Sequence, residues 1–425
     1  METFLNIVNW IVYLPGTVLM FFIFFFLNLV LKMKIDRALR SAFMYSMGLF
    51  ALSTFAYDVF LGTVAGVASG MINNLGLSMN TVDLSIGTTP AILSNPVAIL
   101  AIPIGLLTNL VLLTLRWTKT IDVDIWNILY FGGYAAVLTW AVTDSTLYAV
   151  LSVVITMVIT LKIADWSAPI IHKVLPKFEG LSFPHVYSVT YTPIAYLFNK
   201  LFDLVPAIKN SNWSAENIRK KVGIFGEPGI IGFIVGAAMA AFAKYSFADV
   251  LLTGIKIGAS MHFIPVTMSV LIEGLSETTE LMSEWAKNKF KDRKLFIGLD
   301  SVLAAAEPET LAVGILIAPI AIVVSLILPG NQTLPVGMLS VGFILMALFM
   351  PFFKMNILKG LLFSIVVIAI DLYVGTALAP VYTNLAQSAG GVDIPYGAAQ
   401  ITNASCLTYL LNTELFKLIG SLFGG

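Results

Sequence analysis

The sequence predicts an all-α polytopic membrane protein: two inverted repeats with re-entrant hairpins and about 10–11 transmembrane helices. Three observations carry this. Of 425 residues, 58% are hydrophobic and only 11% charged, with mean hydropathy +0.91. A water-soluble chain of this size needs many more charges to cover its surface. Apolar stretches of bilayer-spanning length recur from Val8 to the C-terminus, and the lysines and arginines gather in alternate gaps between them.

Taken in order, the stretches are residues 8–31, 41–67, 97–115, 127–142, 147–163, 229–247, 250–272, 311–328, 338–353 and 357–379. The first is too long for the core of a signal peptide and no basic residue precedes it, so it is expected to stay as a span. Proline inside 97–115 and 311–328 is tolerable in a membrane helix, because packed neighbours can take up the freed backbone groups. Residues 398–411 and the tail after Thr413 read as a broken or re-entrant segment plus a short last span.

Basic residues favour cytoplasmic loops. All 24 fall in six clusters, except Lys244, Lys256 and Lys417. The clusters begin at Lys32, Arg116, Lys162, Lys200, Lys287 and Lys354, and the loops at 71–79, 329–335 and 380–395 contain no Lys or Arg. Placing the clusters inside puts the N-terminus outside the cytoplasm. Net charge is zero, which removes any electrostatic case for nucleic acid. Three histidines and one cysteine give no Cys-rich metal site and no disulfide framework. Cys406, in the run SCLTYLL, reads as a small buried apolar residue. No cofactor is expected.

The two halves echo each other. TVDLSIGTTP and FIGLDSVLAAAEPE each place an acidic residue among small residues, followed by a proline turn and a proline-containing span. Asp83 precedes Pro103 by 20 positions and Asp300 precedes Pro319 by 19. By the charge rule the spans before them run in opposite directions, the arrangement of many transporters. Repeat one covers about residues 8–205 and repeat two about 229–425, with a polar cytoplasmic connector at about 200–228. SAENIRKK within it suits a short surface helix with Ser214 as N-cap.

Carboxylates at membrane depth are costly and point to function. Asp83 and Asp300 are therefore site candidates, with Ser85 and Thr88 beside the first offering hydroxyls; capping a helix at the interface is the competing role. His185 lies in FEGLSFPHVYSVTYTP, a proline-broken run rich in hydrogen-bonding groups that suits a re-entrant segment facing a polyol, with Tyr187 next to it. An interfacial loop is the alternative. Glu227 in FGEPG and Glu307 in AEPET precede spans, where substrate contact and a helix N-terminal charge are both open. Asp371 lies inside an apolar stretch; His172 and His262 read as structural. No GxxxxGK[ST], HExxH or GxSxG motif is present, so energy must come from an ion gradient or a partner protein.

VDIWNI, ADW, FEGLSFPH, TPIAYL, FGEPG, IGLD and LPGNQTLP occur in this order between Val123 and Pro335. With this spacing the chain resembles the galactitol-type enzyme IIC, the membrane component of the bacterial phosphotransferase system, over nearly its whole length. More distantly it is similar to the ascorbate component of that superfamily. The resemblance implies a homodimer in a bacterial inner membrane, a substrate-holding core domain moving in elevator fashion against an interface domain, and separate cytoplasmic IIA and IIB proteins. A IIB cysteine would hand phosphate to the bound sugar alcohol. It also implies that His185, Asp300, Asp83, Ser85 and Thr88 hold the substrate. VYSV after His185 and AAAEPE after Asp300 depart from the galactitol pattern and leave the particular polyol open. The competing readings are an ion-coupled secondary transporter of a small polar solute on the same frame and, without any catalytic constellation to support it, a membrane-embedded enzyme.

Overall fold

The computed structural model describes residues 14–290, 293–390, 394–404 and 407–423. Cys406 and the start of the first stretch lie outside them. Helix α1 is Gly16–Val30, and α2 runs Ile35–Leu75 with a π-helical segment at Thr54–Leu61. Strand β1 (Thr81–Asp83) leads through short turns to α3 (Pro96–Thr114), β2 (Thr120–Asp122), α4 (Ile125–Thr143) and α5 (Thr146–Val174). Strand β3 (Leu181–Ser182), α6 (Thr192–Phe202) and the connector helix α7 (Ala215–Val222) complete the first half. The second half holds α8 (Pro228–Phe242), α9 (Phe247–Phe290), β4 (Phe296–Gly298), α10 (Pro308–Ile327) and β5 (Thr333–Leu334). It ends with α11 (Val336–Met346), α12 (Ile357–Ser388), β6 (Gln400–Thr402) and α13 (Leu407–Phe423).

Each of the ten apolar stretches falls on a helix. Among the described residues six helices are long and apolar enough to cross a bilayer, and a seventh span arises if the pair Ala215–Gly226 and Pro228–Phe242, bent by 61°, counts as one. The remaining apolar stretches lie on shorter or broken helices among the described residues. Residues 338–353 break after Met346 into a 3-10 turn at Met350–Phe353, and α8 stops after 15 residues. The C-terminal segment is a strand followed by one helix that runs through Thr413.

Helices α1, α2, α8 and α9 pack into one group. Small residues permit the close crossing: a Cβ on Gly274 of α9 would lie 2.4 Å from the Tyr45 amide nitrogen of α2. A buried polar knot sits there. Ser41 Oγ donates to Gly274 O (2.6 Å), Thr278 Oγ1 to Asn28 Oδ1 (2.7 Å) and Asn28 Nδ2 to Ser41 Oγ (3.0 Å). At 44 residues, α9 is about 66 Å long, roughly twice the hydrocarbon thickness. Its polar continuation pairs Glu273 with Arg40 (2.7 Å) and Glu277 with Arg37 (3.1 Å), in the basic gap after the first stretch. In the connector, Ser214 accepts the Asn217 amide and caps α7.

The other helices surround two three-stranded parallel sheets, ordered β5-β1-β6 and β2-β4-β3. Each sheet takes its central strand from one half of the chain and both outer strands from the other. Backbone that leaves the helical state inside an apolar body must find hydrogen bonds within the protein, and these strands of two or three residues supply them. The two bodies meet where the C-terminal part of α2 packs on α11 and where α8 packs on α10.

Candidate functional site

The C-terminal ends of both sheets converge on a cavity of about 210 Å³ at the boundary of the two bodies. Ser85 stands two residues beyond β1, Asp300 two beyond β4 and His185 three beyond β3; all three line it, as does Tyr187. From α4 come Asn127, Tyr130 and Phe131, and from the π-helical segment of α2 comes Tyr57. Ile86, Val341 and Ile344 add apolar wall. A mostly apolar cavity with a few convergent polar groups is the usual form of a small-molecule site.

His185 Nε2 lies 3.7 Å from Asp300 Oδ1, beyond direct hydrogen bonding. The Ser188 amide hydrogen points weakly at His185 Nδ1 (3.4 Å), and Ser188 Oγ lies 2.9 Å from the same nitrogen. Nδ1 accepts the Ser188 amide in one tautomer, which puts the ring proton on Nε2 facing the carboxylate, and donates to Ser188 Oγ in the other, which leaves Nε2 an acceptor. Ser188 Oγ also donates to Ser301 Oγ (2.8 Å), which ties the short helix after His185 to the turn after β4. Phe131 meets the imidazole edge-on at 4.5 Å and fixes its plane. Asp300 Oδ1 accepts the Val302 amide (2.9 Å), while Oδ2 carries no hydrogen bond among the described residues. In the Nε2–H tautomer the pair offers one N–H donor and one carboxylate acceptor side by side, matched to a hydroxyl that accepts from the first and donates to the second.

Strand positions are fixed from behind. Asp165 of the ADW motif accepts the Lys119 amide (2.9 Å) and Thr120 Oγ1 (2.8 Å), and Thr120 Oγ1 meets Ser182 Oγ at 2.8 Å, joining β2 to β3. Asn109 of α3 bonds the free edge of β2 as a strand would, donating to Thr120 O (2.9 Å) and accepting from Asp122 N (3.1 Å). His172 bonds Leu181 O (2.7 Å) and so holds β3. His262 sits on the exposed face of α9, against Phe263.

The other sequence candidates lie off the cavity wall. Asp83 is fully buried among backbone amides, and Thr88 donates to Ser85 O (2.8 Å) and meets Tyr134 OH (2.8 Å). Glu227 is exposed at the start of α8, with Pro228 in its first turn. Glu307 occupies the same place on α10 and is paired with Lys177. Asp371 accepts from Tyr191 OH inside the core. Tyr57, Tyr130 and Phe131 escaped the sequence reading, since an aromatic residue in an apolar helix carries no signal of its own. Asn127 lies in the quoted VDIWNI motif, which was the signal available. Among the described residues no cluster of three or more metal-ligating side chains occurs.

The architecture is that of a multi-pass membrane protein with a cavity where its two helical bodies meet, and comparison with known proteins gives the class. Residues 11–394 match the family EIIC-GAT, described as "PTS system sugar-specific permease component". The chain belongs to this family of phosphotransferase-system permeases. It is similar to the galactitol-specific EIIC component of Escherichia coli K12, with 27% identity over 429 aligned positions that cover 99% of this chain and 94% of the relative. The same component of Escherichia coli O157:H7 aligns equally. A putative permease IIC component of Escherichia coli K12 is 30% identical over 299 positions, 70% of this chain and 68% of the relative.

Proposed function

We propose that this chain imports galactitol or a closely related sugar alcohol and presents it for phosphorylation by a separate cytoplasmic IIB protein, itself recharged by IIA. The observation that carries this reading is the convergence of Ser85, His185 and Asp300 on a cavity between the ends of the two sheets. A polyol is neutral and rich in hydroxyls, so hydroxyl, imidazole and carboxylate can hold it, while Phe131 and Ile344 face its C–H surface.

In the transfer step the terminal hydroxyl oxygen of the polyol attacks the phosphorus of the IIB phosphocysteine. The new O–P bond forms as the S–P bond breaks, leaving a cysteine thiolate. Asp300 Oδ2 accepts the hydroxyl proton and His185 Nε2–H orients the oxygen. The product carries nearly two negative charges beside Asp300, and this repulsion favours its release inward.

The cavity draws Tyr57 from one helical group and its other wall residues from the second, an arrangement suited to an elevator motion of one against the other. A homodimer joined through the group containing α2 and α9, in a cell membrane with the N-terminus outside, completes the proposal. Membership of the phosphotransferase-system permease family supports IIA and IIB partners.

Proteoliposomes test it. With phosphoenolpyruvate, the general phosphotransfer proteins, IIA and IIB, labelled galactitol should accumulate as its phosphate. Accumulation of free polyol under a proton gradient without IIB would favour the ion-coupled reading.

A further inference from the structure

We propose that Asp83 is a positioning residue: its buried carboxylate holds Ser85 in a left-handed backbone conformation that delivers the Ser85 side chain to the cavity. The proposal rests on the polyol-site reading and changes the role expected for Asp83 from substrate contact to clamp.

Asp83 has no exposed surface. Its oxygens accept three backbone amides, from Ser85 (2.9 Å), Ala404 (2.9 Å) and Met338. A carboxylate offers about four lone-pair sites, so most of its capacity is spent on these three segments. They are the turn after β1, the turn after β6 and the first turn of α11.

Ser85 has φ +47°, a region that a residue with a side chain enters only against a steric cost. Its own amide is one of the three that Asp83 binds, and its side chain lines the cavity. Thr88 Oγ1 holds the carbonyl of the same residue. Gly337 makes room: a Cβ there would lie 2.5 Å from both the amide nitrogen and the Cβ of Ser85. Ser85 is thus gripped at its N–H, at its C=O and along its backbone.

The second sheet lacks this device. By strand register, β1 corresponds to β4, so Ser85 corresponds to Asp300 and Asp83 to Gly298. This shifts the correspondence by two residues from the Asp83–Asp300 pairing that sequence spacing suggested. Where Ala404 follows β6 by two residues and gives its amide to Asp83, Pro184 follows β3 by two and has no amide to give. Asp300 projects into the cavity with one oxygen available, whereas its counterpart Ser85 needs the neighbouring carboxylate to reach the same cavity.

The test is a double-mutant cycle on galactitol affinity, measured by calorimetry on the purified full-length protein. Ser85→Gly removes the hydroxyl yet tolerates positive φ, and should weaken binding about three- to tenfold. Asp83→Asn keeps the size but turns an NH₂ group onto amide hydrogens, and should weaken binding to a similar degree. If Asp83 acts through Ser85, the double variant binds no worse than Ser85→Gly alone. Multiplicative losses, or an unchanged affinity in Asp83→Asn, would overturn the proposal.

Hydrogen exchange without ligand gives a second readout. In Asp83→Asn the amides of residues 84–86 should exchange faster while those of α5 stay as protected as before; uniform loss of protection would mean general destabilisation and would also overturn it. Should wild type bind no polyol, the substrate reading falls while the exchange arm still decides the clamp. If Asp83→Asn does not fold, Gly337→Ala, which presses on the same Ser85 backbone, takes its place in both measurements.

Discussion

Replacing Asp300 by Asn isolates the acceptor that the proposed site depends on. The Val302 amide is held by Oδ1 at 2.9 Å, and Asn Oδ1 can accept it equally, so the turn after β4 keeps its geometry. What changes is the group facing the cavity. An acceptor becomes an NH₂ donor beside His185 Nε2, 3.7 Å from the carboxylate, and in the proposed Nε2–H tautomer a hydroxyl between them meets two donors. A hydrogen bond to a charged group contributes about 1.5–3 kcal/mol, so affinity for galactitol should fall by roughly 10- to 150-fold. Calorimetry on purified protein measures this, with melting temperature as the control for folding. Phosphorylation by IIB should fall further than affinity, because the proton acceptor is lost as well as the contact. A folded Asp300→Asn protein whose affinity stays within twofold of wild type would refute the reasoning and move the site elsewhere.

Other consequences are equally direct. His185→Ala removes the Nε2–H donor and should weaken polyol binding about three- to tenfold, whereas Glu227→Gln, exposed off the cavity wall, should leave affinity within about twofold. Lys177→Met strands the Glu307 carboxylate, whose side chain is only 10% exposed; as Lys177 itself is 41% exposed, a stability loss of about 1–2 kcal/mol is expected, read as a lower melting temperature. Gly274→Ala forces a Cβ to within 2.4 Å of the Tyr45 nitrogen and should cost about 1–3 kcal/mol by overpacking α2 against α9, again seen in thermal unfolding. For orientation, single cysteines at Asn73 and Gln332 should react with an impermeant reagent from outside the cell, and one at Lys34 only from inside. Thr333 is buried in β5 and is a poor probe, and labelling of Lys34 from outside would reverse the topology.

Hydropathy and charge were sufficient to identify the class of protein, because both are local. A run of about 20 apolar residues is a bilayer-scale signal whatever surrounds it, and among the described residues each of the ten runs carries helix. Ser214 as a cap and the helix-start positions of Glu227 and Glu307 were legible for the same reason: a cap acts within four residues. His185, Ser85 and Asp300 were legible as polar residues in apolar, proline-broken segments, and the fold brings them to one cavity. The two sheets were not legible, since strands of two or three residues carry no period and pair partners as distant as Thr81 and Gln400. Nor was the surrounding of Asp83. A buried carboxylate among small residues reads the same in sequence whether it faces a ligand or three backbone amides, and those of Met338 and Ala404 arrive from more than 250 residues away. The π-helical turn that brings Tyr57 to the site likewise follows from packing in the assembled fold. Local chemistry named the polar residues; long-range backbone contacts decided which of them face the cavity and which lie buried among backbone amides.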